Sequence, residues 1–107
     1  MDIHATSDQN LSRFQAALRA IYGDRLERVV LFGSRARGDA RADSDYDIAL
    51  FLKALPDRWA ELDRLAKLRV KFIDETGAFF DAIPYAAAAW HERSPLMHEI
   101  RRHGVEL

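Results

Sequence analysis

The chain has 107 residues, about half of them hydrophobic, and a formal net charge of −1. This size predicts one domain with a compact core, and the small net charge argues against a protein that coats nucleic acid or a membrane surface. The absence of cysteine excludes a disulfide framework and a zinc-thiolate site. The sequence has no apolar run near the ~20 residues that span a bilayer and no signal-peptide pattern. We therefore expect a single cytoplasmic domain over residues 1–107, with residues 1–10 frayed.

The hydrophobic pattern predicts short elements in the order α-β-turn-β-α-β-α. The first helix begins near Leu11. The last helix has Ser94 as N-cap, Pro95 at its first position and Gly104 just past its end. Two strands joined by a short turn do not suit a long doubly wound sheet. We expect an α/β (α+β) fold, in which a small mixed sheet has helices packed on one side.

Strands are predicted over 28–32, 45–52 and 79–83, the last one stopped by Pro84. A long helix from Pro56 to about Thr76 lies between the second and third strands. Its apolar side chains are expected in the core, and they include Trp59, Leu62, Leu65, Phe72 and Ile73.

A glycine-serine pair follows the first predicted strand. Because Gly33 has no Cβ, backbone N–H groups there can approach an anion, and Ser34 adds a hydroxyl donor. Arg35 and Arg37 add positive charge that suits phosphate oxygens. These four residues are candidate nucleotide-binding groups, although a structural turn with solvated arginines would have the same local sequence.

Two aspartates lie two positions apart at the start of the second predicted strand. Alternate residues of a strand share a face, so the carboxylates of Asp45 and Asp47 are expected close together. Ionised carboxylates that close repel unless a cation lies between them. Mg²⁺ bound to nucleotide phosphates takes one or two protein carboxylates, so the pair is a candidate metal and catalytic site. The alternative is an acidic strand end that faces water.

A third aspartate, Asp81, lies within the apolar third strand, where aspartate is disfavoured. If this strand pairs with the second, Asp81 joins Asp45 and Asp47. Three carboxylates from two strands would hold two Mg²⁺ ions, one for the triphosphate and one for the attacking hydroxyl. Exposure at a sheet edge would also explain an aspartate here.

The combination of Gly33-Ser34, ten intervening residues and Asp45-X-Asp47 resembles the signature of the DNA polymerase β-like nucleotidyltransferases. The sequence GSRARG, followed by SDYDIAL, is similar to the minimal nucleotidyltransferase (MNT) group, which provides the antitoxin of HEPN–MNT toxin–antitoxin pairs. The likeness is close from Val29 to Leu52 and looser as far as Asp81. It implies the polymerase β-like fold, in which helices back a small mixed sheet.

The resemblance also implies an enzyme that uses Mg²⁺ and transfers AMP from ATP to a tyrosine of the cognate HEPN toxin, silencing its RNase activity. Asp45 and Asp47 would ligate Mg²⁺, and Asp81 would complete the metal site and orient or deprotonate the acceptor hydroxyl. Gly33 and Ser34 would hold the β- and γ-phosphates.

The acceptor is expected to be a protein, because only about 25 residues follow Asp81 and they enclose little. A toxin in a hetero-oligomer would complete the site, although a homodimer could also close it. No nucleic acid or membrane partner is expected. Two other functions remain open: an antitoxin that acts by binding and occlusion without turnover, and a small-molecule nucleotidyltransferase of the antibiotic-modifying type.

Overall fold

A computed structural model describes residues 8–107. The expectation of fraying over residues 1–7 lies outside this range. At residues 8–10 the first helix begins, and Asp8 caps it by accepting a hydrogen bond from the Leu11 amide at 3.1 Å. The elements are α1 (Gln9–Tyr22), β1 (Leu26–Phe32), α2 (Ser34–Arg37), β2 (Tyr46–Leu52), α3 (Arg58–Thr76), β3 (Phe80–Ala86), α4 (Pro95–His103) and β4 (Val105–Glu106), with 3-10 turns at Gly23–Arg25 and Ala87–His91.

The four strands form one mixed sheet in the order β3-β2-β1-β4. The β2–β3 pair is parallel, with α3 as the crossover, and the other two pairs are antiparallel. β3 continues through Pro84 to Ala86, past its predicted end at Ile83. Proline is tolerated here because an edge strand does not need every N–H for the ladder. The mixed sheet predicted from the sequence is confirmed, while β4, with two residues, was not predicted.

Helices cover both faces of the sheet, so the expectation of helices on one side only is wrong. Both faces of β2 are buried: Ile48 and Leu50 pack with α1 and α3, whereas Ala49 and Phe51 pack with α4. The larger core contains a stack of aromatic rings, in which the centroids of Phe14 and Phe80 are 4.1 Å apart. The sheet is therefore held rigidly from both sides at the end where the polar motifs lie.

Helix α3 has two apolar stripes rather than one. Leu65, Leu68 and Phe72 are buried, but Trp59 is 81% exposed and Ile73 is 38% exposed, so these two are not in the core. Trp59 and Ile73 are about two heptads apart and share a face that differs from the core face. A 3–4 spacing alone did not separate the two stripes. Within residues 8–107, no helix is long and apolar enough to cross a membrane.

Candidate active site

The predicted carboxylates meet where β1 ends and where β2 and β3 begin. Asp47 pairs with Phe32 across the antiparallel β1–β2 ladder and with Asp81 across the parallel β2–β3 ladder. Residues paired in register point to the same face, and adjacent strands lie about 4.8 Å apart. Asp47 and Asp81 therefore present their carboxylates side by side, on the face that α4 covers.

Asp45 lies in the loop one residue before β2, rather than in the strand as predicted. It is exposed, whereas Asp47 and Asp81 are half-buried. Burial raises the pKa of Asp47, and the charges of Asp81 and Asp45 raise it further, while Arg37 lowers it. The carboxylate of Asp47 thus experiences the charges of both other aspartates.

Gly33 brings the end of β1 against Asp47. Its φ of 75° and ψ of −156° are essentially restricted to glycine. A Cβ at this position would collide with Oδ2 of Asp47 and lie 3.2 Å from Cγ. Ser34 follows as the first residue of α2, and the amides of Ala36 and Arg37 donate to the Gly33 carbonyl at 3.1 Å. The Gly-Ser turn therefore lies directly beside the central carboxylate.

The two arginines of the motif point to different partners. Arg37 donates to Oε1 of Glu99 at 3.0 Å, on α4, and lies near enough to Asp47 to lower its pKa. Arg35 instead donates to the backbone carbonyls of Ser44 and Ala42, at 2.9 and 3.1 Å. Only Arg37 lies beside the carboxylates in this arrangement.

Glu99 is a site residue that the sequence reasoning missed. Its charge raises the pKa of Asp47, and its carboxylate holds Arg37. No local pattern marks Glu99, because its place depends on how α4 packs across the sheet. The sequence did indicate the helix that carries Glu99, because the caps of α4 were predicted correctly. Ser94 accepts a hydrogen bond from the Met97 amide at 3.1 Å.

Over residues 8–107, no three His, Cys, Asp or Glu side chains are arranged to hold a metal ion by themselves. The residues that are present nevertheless fit Mg²⁺ in a nucleotide complex. Mg²⁺ prefers oxygen donors and takes one or two protein carboxylates, with phosphate oxygens and water as the other ligands. Burial raises the pKa of Asp47, and the charges of Asp81 and Asp45 raise it further, so a bound cation would favour the ionised carboxylate.

Comparison with known proteins gives the class. The family model described as “Polymerase beta, Nucleotidyltransferase” matches residues 20–107. The chain therefore belongs to the polymerase β-type nucleotidyltransferase family, which is a family of enzymes.

Two archaeal relatives are both named “Putative protein adenylyltransferase” in Methanocaldococcus jannaschii. MJ0141 is 28% identical over 91% of this chain and 94% of its own length. MJ0604 is 40% identical, over 40% of this chain and 43% of its own length.

Solved structures match the fold. One is a toxin–antitoxin crystal structure with AMP-PNP, at a TM-score of 0.60 and 21% identity, covering 88% of this chain and 69% of that chain. Another is a mutant of the toxin–antitoxin MntA-HpeT, at a TM-score of 0.61 and 18% identity, with the same coverage. At these identities the likeness concerns the fold.

Proposed function

We propose that this nucleotidyltransferase is a cytoplasmic antitoxin that transfers AMP from ATP to a tyrosine hydroxyl of a cognate HEPN RNase toxin. The transfer neutralises the toxin. The observation that carries the proposal is the register of Asp47 with Asp81 beside the close approach of Gly33. This places two carboxylates next to a turn suited to phosphate. The relatives are named protein adenylyltransferase and toxin–antitoxin. These names support AMP as the transferred group and a protein as the acceptor.

The chemistry assigned to each group follows from its position. Gly33 and Ser34 hold the β- and γ-phosphates, and Arg37, which lies close enough to Asp47 to lower its pKa, adds positive charge to the same region. Asp45, Asp47 and Asp81 are the ligands proposed for Mg²⁺, which when bound neutralises the phosphate and carboxylate charge. Asp81 accepts the proton of the acceptor hydroxyl. The acceptor oxygen then bonds to the α-phosphorus, the bond to the bridging oxygen breaks, and pyrophosphate leaves.

A protein acceptor suits the openness of the site. Asp45 is exposed, and Arg37 remains 40% exposed despite its ion pair with Glu99. A large acceptor surface can reach such a site, and it would also exclude water when it docks. We therefore place the acceptor hydroxyl on a partner chain in a hetero-oligomer, with ATP as the small substrate.

The decisive experiment measures transfer of label from α-labelled ATP to the toxin with Mg²⁺. We expect labelled toxin with the natural chain and none with Asp45→Asn plus Asp47→Asn. The matched control, Asp43→Asn plus Asp74→Asn, changes the same charge at exposed positions and should transfer normally. Transfer that survives the first double substitution would contradict the proposed site.

The same double substitution distinguishes turnover from occlusion. If neutralisation requires AMP transfer, cells carrying the toxin should lose protection when Asp45 and Asp47 are both asparagine. If protection persists while transfer is lost, the antitoxin acts by binding. A third arm with small hydroxyl compounds and no toxin tests the small-molecule alternative, for which we expect no labelled product.

Magnesium and ATP together are expected to raise the Tm, because they bind the folded state. Ligand at tenfold the Kd stabilises the fold by ~1.4 kcal/mol, which is about 6 °C for a domain of this size. Differential scanning fluorimetry with Mg²⁺, ATP, both or neither measures the shift. Asp45→Asn plus Asp47→Asn should reduce it, and an equal shift in that variant would place the nucleotide elsewhere.

A further inference from the structure

The loop between α2 and β2, residues 38–45, delivers Asp45 to the site with little support of its own. Residues 41–43 and Asp45 are exposed. Inside the loop, the Arg41 amide donates to Oγ of Ser44 at 2.8 Å and the Ser44 amide donates to the Arg41 carbonyl at 3.1 Å. Such a short exposed turn opens at little cost in free energy. The Gly38 and Asp39 amides hold the start of the loop by donating to the Ser34 carbonyl at 3.0 and 3.1 Å, so a fixed position for Asp45 requires a contact near the other end.

Arg35 supplies that contact from α2. Its Nε donates to the Ser44 carbonyl and an Nη donates to the Ala42 carbonyl, so a single planar guanidinium bridges two points of the loop. The other part of its surface lies against the Tyr46 ring, with Cζ 3.9 Å from the ring centroid. A cation stacked on an aromatic ring, with its fork occupied by two carbonyls, is held in one orientation.

Tyr46 connects this contact to the rest of the fold. Its ring stacks on Phe80 in the core, with centroids 4.4 Å apart. Its hydroxyl donates a hydrogen bond to Asp8, the residue that caps α1. The surface beneath Arg35 is therefore anchored on both sides.

We propose that Arg35 is a positioning residue for nucleotidyl transfer, which braces the loop 38–45 from α2 and sets the place of Asp45, rather than a residue that binds phosphate. The inference depends on the proposed role of Asp45 as a metal ligand. In this role Arg35 connects the two parts of the motif, which are the Gly-Ser turn at the start of α2 and the aspartates at the end of the loop. Lysine cannot replace Arg35, because an ammonium lacks the planar fork that reaches both carbonyls.

Amide hydrogen exchange tests the brace independently of activity. We expect Arg35→Lys to speed exchange of the amides in residues 38–45 by roughly tenfold or more, since it frees two carbonyl contacts. The control is Arg41→Lys, the same substitution at an exposed position within the loop. Unchanged exchange in Arg35→Lys would overturn the brace.

Kinetics separate positioning from phosphate binding. In Arg35→Lys we expect kcat to fall about 10–100-fold, the scale seen when an outer group that orients a metal ligand is lost. The Mg²⁺ concentration for half-maximal rate should rise, while KM for ATP at saturating Mg²⁺ stays within roughly twofold. A large rise in KM for ATP with unchanged Mg²⁺ dependence would overturn the proposal in favour of a phosphate contact.

Rescue by a guanidinium ion adds a third measurement. A cavity of about 210 Å³ adjoins the brace, and its lining includes Arg35, Ser44, Tyr46 and Phe79. In Arg35→Ala, millimolar guanidinium entering from this cavity should restore part of kcat, whereas methylammonium should not. Equal rescue by both cations would contradict the need for a planar fork.

The outcomes also separate this inference from the proposed function. If Asp45→Asn retains the natural rate of transfer, the metal role of Asp45 fails, whatever the exchange rates show. If Asp45→Asn is inactive but Arg35→Lys loosens the loop and transfers at the natural rate, the positioning role fails and the function stands.

Discussion

Asp47→Asn is expected to lower nucleotidyl transfer by about 10²–10³-fold and, without divalent metal, to raise the Tm. The loss follows from the position of Asp47, between Asp81 on one side and Gly33 on the other. An amide is nearly isosteric with the carboxylate but carries no charge, and removing one preorganised electrostatic group costs on the order of 10²–10³-fold in rate. Label transfer from ATP, with kcat and KM measured separately, checks this part.

The gain in stability follows from the sign of the pKa shift. Burial and the charges of Asp81 and Asp45 raise the pKa of Asp47 above its value in the unfolded chain. The folded state therefore holds this proton more tightly. Below the unfolded pKa both states are protonated and no penalty exists; as pH rises through the folded pKa, ionisation destabilises the fold. Asparagine removes that penalty and can donate a hydrogen bond to Asp81.

The Tm difference between Asp47→Asn and the natural chain should therefore be near zero around pH 3 and positive, by on the order of a few degrees, at pH 7.5. Both proteins are measured with a chelator present. Asp43→Asn is the control, since it removes an exposed carboxylate from the same loop. If the natural chain instead gains stability relative to Asp47→Asn as pH rises, the Asp47 carboxylate is paired with a positive charge in the folded protein, and repulsion by the other carboxylates does not dominate.

The elements and the motif were predictable where the information is local. The strand alternation, the spacing from Gly33 to Asp47 and the caps of α4 are all readable along the chain, and they led to the mixed sheet. Asp81 was predicted as a neighbour of Asp47 because aspartate is disfavoured in an apolar strand, and a shared metal site would explain its presence there. The parallel register between the two aspartates agrees with that reasoning.

The remainder depends on packing between distant parts of the chain. Glu99 reaches Arg37 only because α4 crosses the second face of the sheet. Sequence reasoning treated Arg35 and Arg37 alike, since both are arginines of one turn. Their roles differ only because the loop 38–45 folds back and its carbonyls accept hydrogen bonds from Arg35. Likewise, Trp59 fits a helical spacing, but which of two stripes faces the core is settled by the sheet.

Gly33→Ala is the second substitution for which we expect a large effect, and Gly38→Ala is its matched control. Both glycines have positive φ, 75° and 84°, so alanine strains the backbone at each position by about 1–3 kcal/mol. Their surroundings differ: a Cβ at Gly38 meets nothing within 4 Å, whereas a Cβ at Gly33 collides with the Asp47 carboxylate. Both variants are therefore expected to lose Tm, and Gly33→Ala is expected to lose more, because the collision with Asp47 adds to the backbone strain.

Activity should separate them. In Gly33→Ala the methyl group must push the Asp47 carboxylate away from β1, and the Gly-Ser turn must move with it. We expect transfer to fall by at least ~10²-fold, since displacements of about 1 Å at a reacting centre have that scale. Gly38→Ala should transfer within a few-fold of the natural chain once both proteins are assayed well below their Tm. Equal activity in the two variants would mean that the close approach of Gly33 to Asp47 serves only the fold. Loss of activity in Gly33→Ala alone would mean that glycine is required here because the Gly-Ser turn must lie in contact with the Asp47 carboxylate.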